Sequence, residues 1–116
     1  MATHIKTGKL GEHLAAQWLL CRNYQILFRN FRIGRYEVDV IARKNGVLHF
    51  IEVKTRRSEE YGYPESRICK RKLRTMLQSA QSFQRRETQE VEIQVDVLSL
   101  IIRGKTIDYF LIERVV

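Results

Sequence analysis

Cysteine occurs only twice in the 116 residues, as Cys21 and Cys69, and histidine three times, as His4, His13 and His49. There is no Cys-x-x-Cys or His-Glu-x-x-His pattern, and the histidines do not cluster with the cysteines, which argues against a structural zinc site. Each cysteine falls on the apolar side of an expected helix, where a free thiol acts as a small hydrophobe. Long apolar runs are missing as well. No segment approaches the roughly 20 residues a spanning helix needs. Leu14 to Leu20 is short, interrupted by Gln17 and preceded by Glu12, unlike a signal peptide. The expectation is a cytoplasmic protein with no membrane partner. Acidic residues are few beside basic ones, 13 against 21, giving a net charge of +8. Such a balance draws polyanions by long-range attraction and counterion release, so nucleic acid is the leading partner.

What is present describes an ordinary globular chain. A hydrophobic fraction of 44% and a charged fraction of 29% exclude disorder, and the length suits one domain over residues 1–116 with one core. No repeat, low-complexity tract or linker divides it. Thr7 to Cys21 places Leu10, Leu14, Trp18 and Cys21 on one helical stripe, with Thr7 as N-cap. Gln25 to Arg32 reads as a strand, followed by a turn at Gly34-Arg35. Tyr36 to Lys44 and Val47 to Arg56 are β-rich and separated only by Asn45-Gly46, the strongest short signal for a two-residue hairpin. A loop with Ser58, Gly62 and Pro64 leads to a second helix, Ser66 to about Arg86, with Cys69, Leu73, Met76, Leu77, Ala80 and Phe83 at helical spacing. Glu90 to Leu100 and Thr106 to Arg114 alternate around a turn at Arg103-Gly104-Lys105 and form a closing pair of strands. The expected class is α/β, a central mixed sheet flanked by helices in the order α-β-β-β-α-β-β.

The hairpin concentrates the chemistry. With Asn45 and Gly46 as its loop, Lys44 faces Val47, and the register then sets Asp39 opposite Glu52 and Glu37 opposite Lys54, all on one face. Val38, Val40, Ala42, Ile51 and Val53 are assigned to the other, apolar face. Opposed carboxylates repel unless something neutralises them, and a divalent cation would do so. Asp39 and Glu52 are therefore candidate ligands for Mg²⁺ or Mn²⁺, ions that this ligand type does not separate. Val53 could add a backbone carbonyl, and Lys54 sits where it could orient water or stabilise developing negative charge. Glu12 lies between Ala16 and Leu19 in helical projection, away from the polar strip of Lys9, His13 and Gln17; a carboxylate so placed needs a partner, and the metal site is the one assigned. Arg56 and Arg57, just past the strand, and Lys70, Arg71 and Arg74 on the second helix are candidate phosphate contacts.

Asp39, then Glu52-Val53-Lys54 on the adjacent strand, resembles the PD-(D/E)xK nuclease signature, with Val38 in place of the proline. A wider set covers nearly the whole chain: Gly8, Gly11-Glu12, Arg29-Asn30, Glu37 to Ala42, Phe50 to Arg56, Gly62-Tyr63-Pro64 and Val95-Asp96-Val97. Together these residues resemble the small bacterial YraN-like family. Tyr36 departs from its pattern, standing where a glycine usually precedes Glu37, and so does Gln94, where an arginine usually stands two residues before Asp96. The resemblance implies a restriction-endonuclease-like fold similar to archaeal Holliday-junction resolvases. It also implies a metal-dependent nuclease acting on nucleic acid, DNA foremost, as a homodimer. Fold analogy alone does not fix a reaction.

Plainer readings stand beside these. Glu52 and Lys54 could form a surface ion pair, Glu37 a structural bridge to Lys54, and Glu12 a helix carboxylate bonded to backbone or to an arginine. The run Arg67, Lys70, Arg71, Lys72 and Arg74 could be a solvated helix face, and Tyr61 and Tyr63 could cover a core edge rather than stack on bases. Asp96, His49 and Trp18 read as structural. Two further functions compete with hydrolysis: a nucleic-acid-binding module without turnover, and a protein-interaction domain.

Overall fold

The computed structural model describes residues 2–57, 69–84 and 91–116. Its elements are α1 (Ala2–Cys21), β1 (Gln25–Ile33), β2 (Tyr36–Lys44), β3 (Val47–Arg57), α2 (Lys70–Gln84), β4 (Glu92–Arg103) and β5 (Thr106–Ile112). The order is the expected one. Ser58, Tyr61, Gly62, Tyr63, Pro64, Ser66, Arg67, Arg86 and Glu90 lie outside the described residues, and with them the outer limits expected for the second helix.

The sheet runs β1-β2-β3-β4-β5. Tight turns make three of its pairings antiparallel, whereas β3 and β4 are parallel because the chain between them crosses over through α2. Asn45 and Gly46 have φ of 52° and 77°, the doubly positive pair that lets a two-residue turn follow the twist of its strands.

A helix covers each face. On one, Leu73, Met76 and Ala80 of α2 pack on Val38, Ile41, Leu48, Phe50, Val95 and Val97. On the other, Ala15 and Leu19 of α1 pack with Tyr24 on Val40, Ala42, Ile51, Leu98 and Leu100. This corrects the single apolar face assigned to the hairpin. Ile41 and Phe50, in phase with Asp39 and Glu52, are fully buried under α2, and Val38 joins them while Val40 and Ala42 face α1. A sheet built around a crossover is buried on both sides, so hydrophobic residues occupy both phases.

The buried stripe of α1 also differs from the expected one. Leu10 is 50% exposed and Cys21 is exposed, while Gly11, Ala15, Ala16 and Leu19 face inward. Size decides here rather than hydrophobicity, because a Cβ on Gly11 would lie 1.9 Å from Thr55 Oγ1 and 2.8 Å from Thr55 Cβ. The helix backbone at Gly11 rests directly on the Thr55 side chain of the strand. Cys69 is exposed as well: it precedes α2 instead of packing within it, and its carbonyl accepts the Leu73 amide at 3.1 Å.

Gly11→Ala is expected to destabilise the fold by about 1–3 kcal/mol, the usual cost of forcing a methyl group into a filled space. Thr55→Gly in the same chain should recover part of that loss. Urea denaturation of all four corners of the cycle measures the coupling; strictly additive losses would mean that the two residues do not meet.

Candidate metal and phosphate site

Hydrogen-bonded pairing between β2 and β3 runs from Lys44↔Val47 to Val40↔Ile51 and stops there. Beyond it β2 stays with β1, through Phe31↔Val38 and Arg32↔Glu37, while β3 stays with β4, from Glu52↔Val97 to Arg57↔Ile102. The strands fork. Asp39 and Glu52 are the next residues on each arm, so the sequence register holds up to the mouth of the fork and the two carboxylates flank it. Across the gap, Asp39 Oδ2 accepts the Val53 amide at 2.8 Å, filling a backbone position that a continued ladder would have occupied.

The charges around this fork are unevenly compensated. Glu52 Oε1 accepts a hydrogen bond from Lys72 Nζ at 3.1 Å and has Lys54 Nζ at 3.9 Å. Asp39 has the Val53 amide, and its carboxyl is pushed up to about 6. Burial is the largest cause; the negative charges of Glu52, Glu12 and Glu37 add to it, and the Val53 hydrogen bond opposes it. Glu12 thus reaches the site through its charge from the half-buried face of α1, held close by the Gly11–Thr55 approach. Glu37 does not pair with Lys54 as the register suggested. It lies 3.9 Å from Arg32, its partner across the β1–β2 ladder.

The donor set suits a hard divalent cation bound by few protein groups. Among the described residues, no three His, Cys, Asp or Glu side chains converge on one point as a closed cage would require. Mg²⁺ is commonly held by one or two carboxylates with waters completing its shell. Asp39 and Glu52 can provide those carboxylates, and an acid group whose proton is retained by burial and by neighbouring negative charge is one that a cation would ionise. Val53 lies against Asp39 by its amide, a contact the sequence did not suggest.

The other assigned residues divide by exposure. Arg57, Lys70, Arg71 and Arg74 are exposed, as phosphate contacts must be, whereas Arg56 is only 7% exposed and is packed into the end of β3. Two neighbours of the carboxylates were not singled out from sequence. Lys72 is one. Tyr36 is the other: its hydroxyl is buried without a hydrogen-bond partner among the described residues, and burial, then the charges of Glu52 and Asp39, raise its pKa. Its place at the site could not be read from a departure in a turn.

On the α1 side of β3, His49 and Asp96 are buried and joined by a 2.8 Å contact between Nδ1 and Oδ2. Asp96 Oδ1 also accepts from Gln94 Nε2 at 2.9 Å and from the Arg114 amide at 3.0 Å. This is the structural role expected of both residues. Trp18, half-buried, stacks on Tyr109 and carries the Arg22 guanidinium over its ring.

Residues 11–100 match the model of "Uncharacterised protein family UPF0102". UPF0102 proteins of Prosthecochloris aestuarii, Chloroherpeton thalassium and Persephonella marina are 38%, 37% and 37% identical to the chain. The matched regions cover 84%, 88% and 81% of this chain and 77%, 80% and 82% of those proteins. With a match that takes in the fork, the second half of α1, all of α2 and the His49–Asp96 pair, the chain belongs to the UPF0102 family.

Proposed function

We propose that the protein is a Mg²⁺- or Mn²⁺-dependent phosphodiesterase of the PD-(D/E)xK kind, cutting nucleic acid, with DNA the favoured substrate and branched DNA the resolvase-like possibility. The observation that carries this reading is the fork itself, where Asp39 and Glu52 meet beside Lys54 and one carboxylate is short of positive charge. A divalent ion bound there would polarise a phosphoryl oxygen and supply a water of lowered pKa. Asp39 and Glu52 would hold it, with the Val53 carbonyl beside them and Glu12 positioning water. Lys54, its side chain 44% exposed, offers an ammonium to the charge that grows on the phosphoryl oxygens during in-line attack. Arg57, Lys70, Arg71 and Arg74 would hold the backbone on either side, and the net charge of +8 would bring it there.

The test is cleavage of labelled duplex, single-stranded and four-way-junction DNA in Mg²⁺, Mn²⁺ or EDTA. At least one form should be cut with metal and none with EDTA, and Glu52→Ala should remove the cutting. Cutting that persists in Glu52→Ala would exclude this site. A second reading, binding without turnover, is favoured by the lysines that already face Glu52. It predicts salt-sensitive binding of all three forms, unaffected by EDTA, with no cleavage.

A further inference from the structure

Glu52 presents one oxygen to two ammonium groups, Lys72 at 3.1 Å and Lys54 at 3.9 Å. A divalent ion that takes this oxygen meets positive charge first and competes with both lysines for it. The two lysines are not equivalent. Lys54 leaves the same strand two residues after Glu52 and is fixed on the same side of it. Lys72 comes from α2, and its ammonium lies 5.9 Å from the centre of the Tyr36 ring. Its side chain is 49% exposed, and it stands beside Lys70, Arg71 and Arg74 on a helix that faces solvent there. A long flexible stem with a point charge can exchange one oxyanion for another without moving the backbone.

We infer that Lys72 couples metal binding to substrate binding: it neutralises Glu52 while the site is without its cation, and passes to a backbone phosphate of the nucleic acid when the cation takes Glu52. This rests on the metal-site reading above and names a positioning residue for it. Because coupling between two ligands is reciprocal, phosphate that draws Lys72 away also makes Glu52 a better ligand. Metal would then be gathered mainly when nucleic acid is present.

The test is Mn²⁺ affinity without nucleic acid, by titration calorimetry, for wild type, Lys72→Met, Lys72→Arg and Glu52→Gln. Losing an opposing ion pair at a partly exposed site should make Lys72→Met bind Mn²⁺ about three- to tenfold more tightly. Lys72→Arg should stay near wild type and Glu52→Gln should bind more weakly. For duplex DNA in Ca²⁺, Lys72→Met should bind more weakly and lower the slope of log affinity against log salt by about 1, the mark of one lost phosphate contact. A merely structural ion pair would also tighten Mn²⁺ binding when lost, but it would leave the salt slope unchanged, so the slope decides between them. Should Lys72→Met fail to fold, Lys72→Gln serves as the uncharged variant. Glu52-dependent Mn²⁺ binding of equal strength in wild type and Lys72→Met would overturn the role of Lys72 and leave the metal site standing. Absence of Glu52-dependent binding in every variant would overturn both. Tighter Mn²⁺ binding with an unchanged salt slope would overturn the transfer to phosphate.

Discussion

Asp39→Asn is expected to make the protein more stable and at the same time to abolish metal-dependent cleavage. The carboxyl of Asp39 is raised from its ordinary 3.8 to about 6, first by burial and then by the charges of Glu52, Glu12 and Glu37. The folded chain therefore holds this proton to higher pH than the unfolded chain does. Stability falls as pH rises from about 4 to about 6, and above that the penalty is constant at about 3 kcal/mol. Asparagine keeps an oxygen for the Val53 amide and carries no charge, so the penalty disappears. Denaturation without divalent ions should show wild type and Asp39→Asn nearly equal at pH 4 and separated by about 2–3 kcal/mol at pH 7. Mg²⁺ should raise the melting temperature of wild type and leave that of the variant unchanged, and the cleavage rate of the variant should fall by at least about 10²–10³-fold, the scale of losing one preorganised charge contact. Parallel stability curves from pH 4 to 8 would mean that neither burial nor the neighbouring carboxylates raise the Asp39 carboxyl.

This opposition of stability and function also explains how much of the site could be read from sequence. Asp39, Glu52 and Lys54 were legible because a two-residue hairpin fixes its own register, and every link from Asn45-Gly46 to the mouth of the fork is local. The fork was not, because it depends on β2 remaining with β1 and β3 with β4. Lys72 stood in a run of basic residues of which periodicity could say only that they avoid the core; which one reaches Glu52 is set by how α2 lies across the sheet. The buried side of α1 was misjudged for another reason. Leucine spacing marks an apolar stripe, but contact at Gly11 and Ala15 is chosen by smallness, which only the facing Thr55 reveals. Likewise, a helix between two neighbouring strands explains their parallel pairing, yet alternation alone does not give the register.

That parallel register underlies the second large effect. It sets His49 beside Gln94 and Ile51 beside Asp96, and so brings the imidazole onto a carboxylate with no exposed surface. His49 contacts Asp96 Oδ2, while Gln94 Nε2 spans Asp96 Oδ1 and Glu113 at 2.9 and 3.1 Å. His49→Ala removes one partner of a buried pair and the edge-on contact of the imidazole with Tyr24 at 5.2 Å. The expected loss is about 1–3 kcal/mol, the cost of leaving one oxygen of a buried hydrogen-bonding group without its partner. Gln94→Arg added to His49→Ala should recover about half of that loss, because a guanidinium can satisfy both Asp96 and Glu113. In the wild-type background the same Gln94→Arg change should gain much less, as Asp96 is already occupied. Chemical denaturation of the four proteins decides the matter. Equal effects of Gln94→Arg with and without His49 would show that the two residues do not share Asp96, and that the imidazole is held there by packing alone.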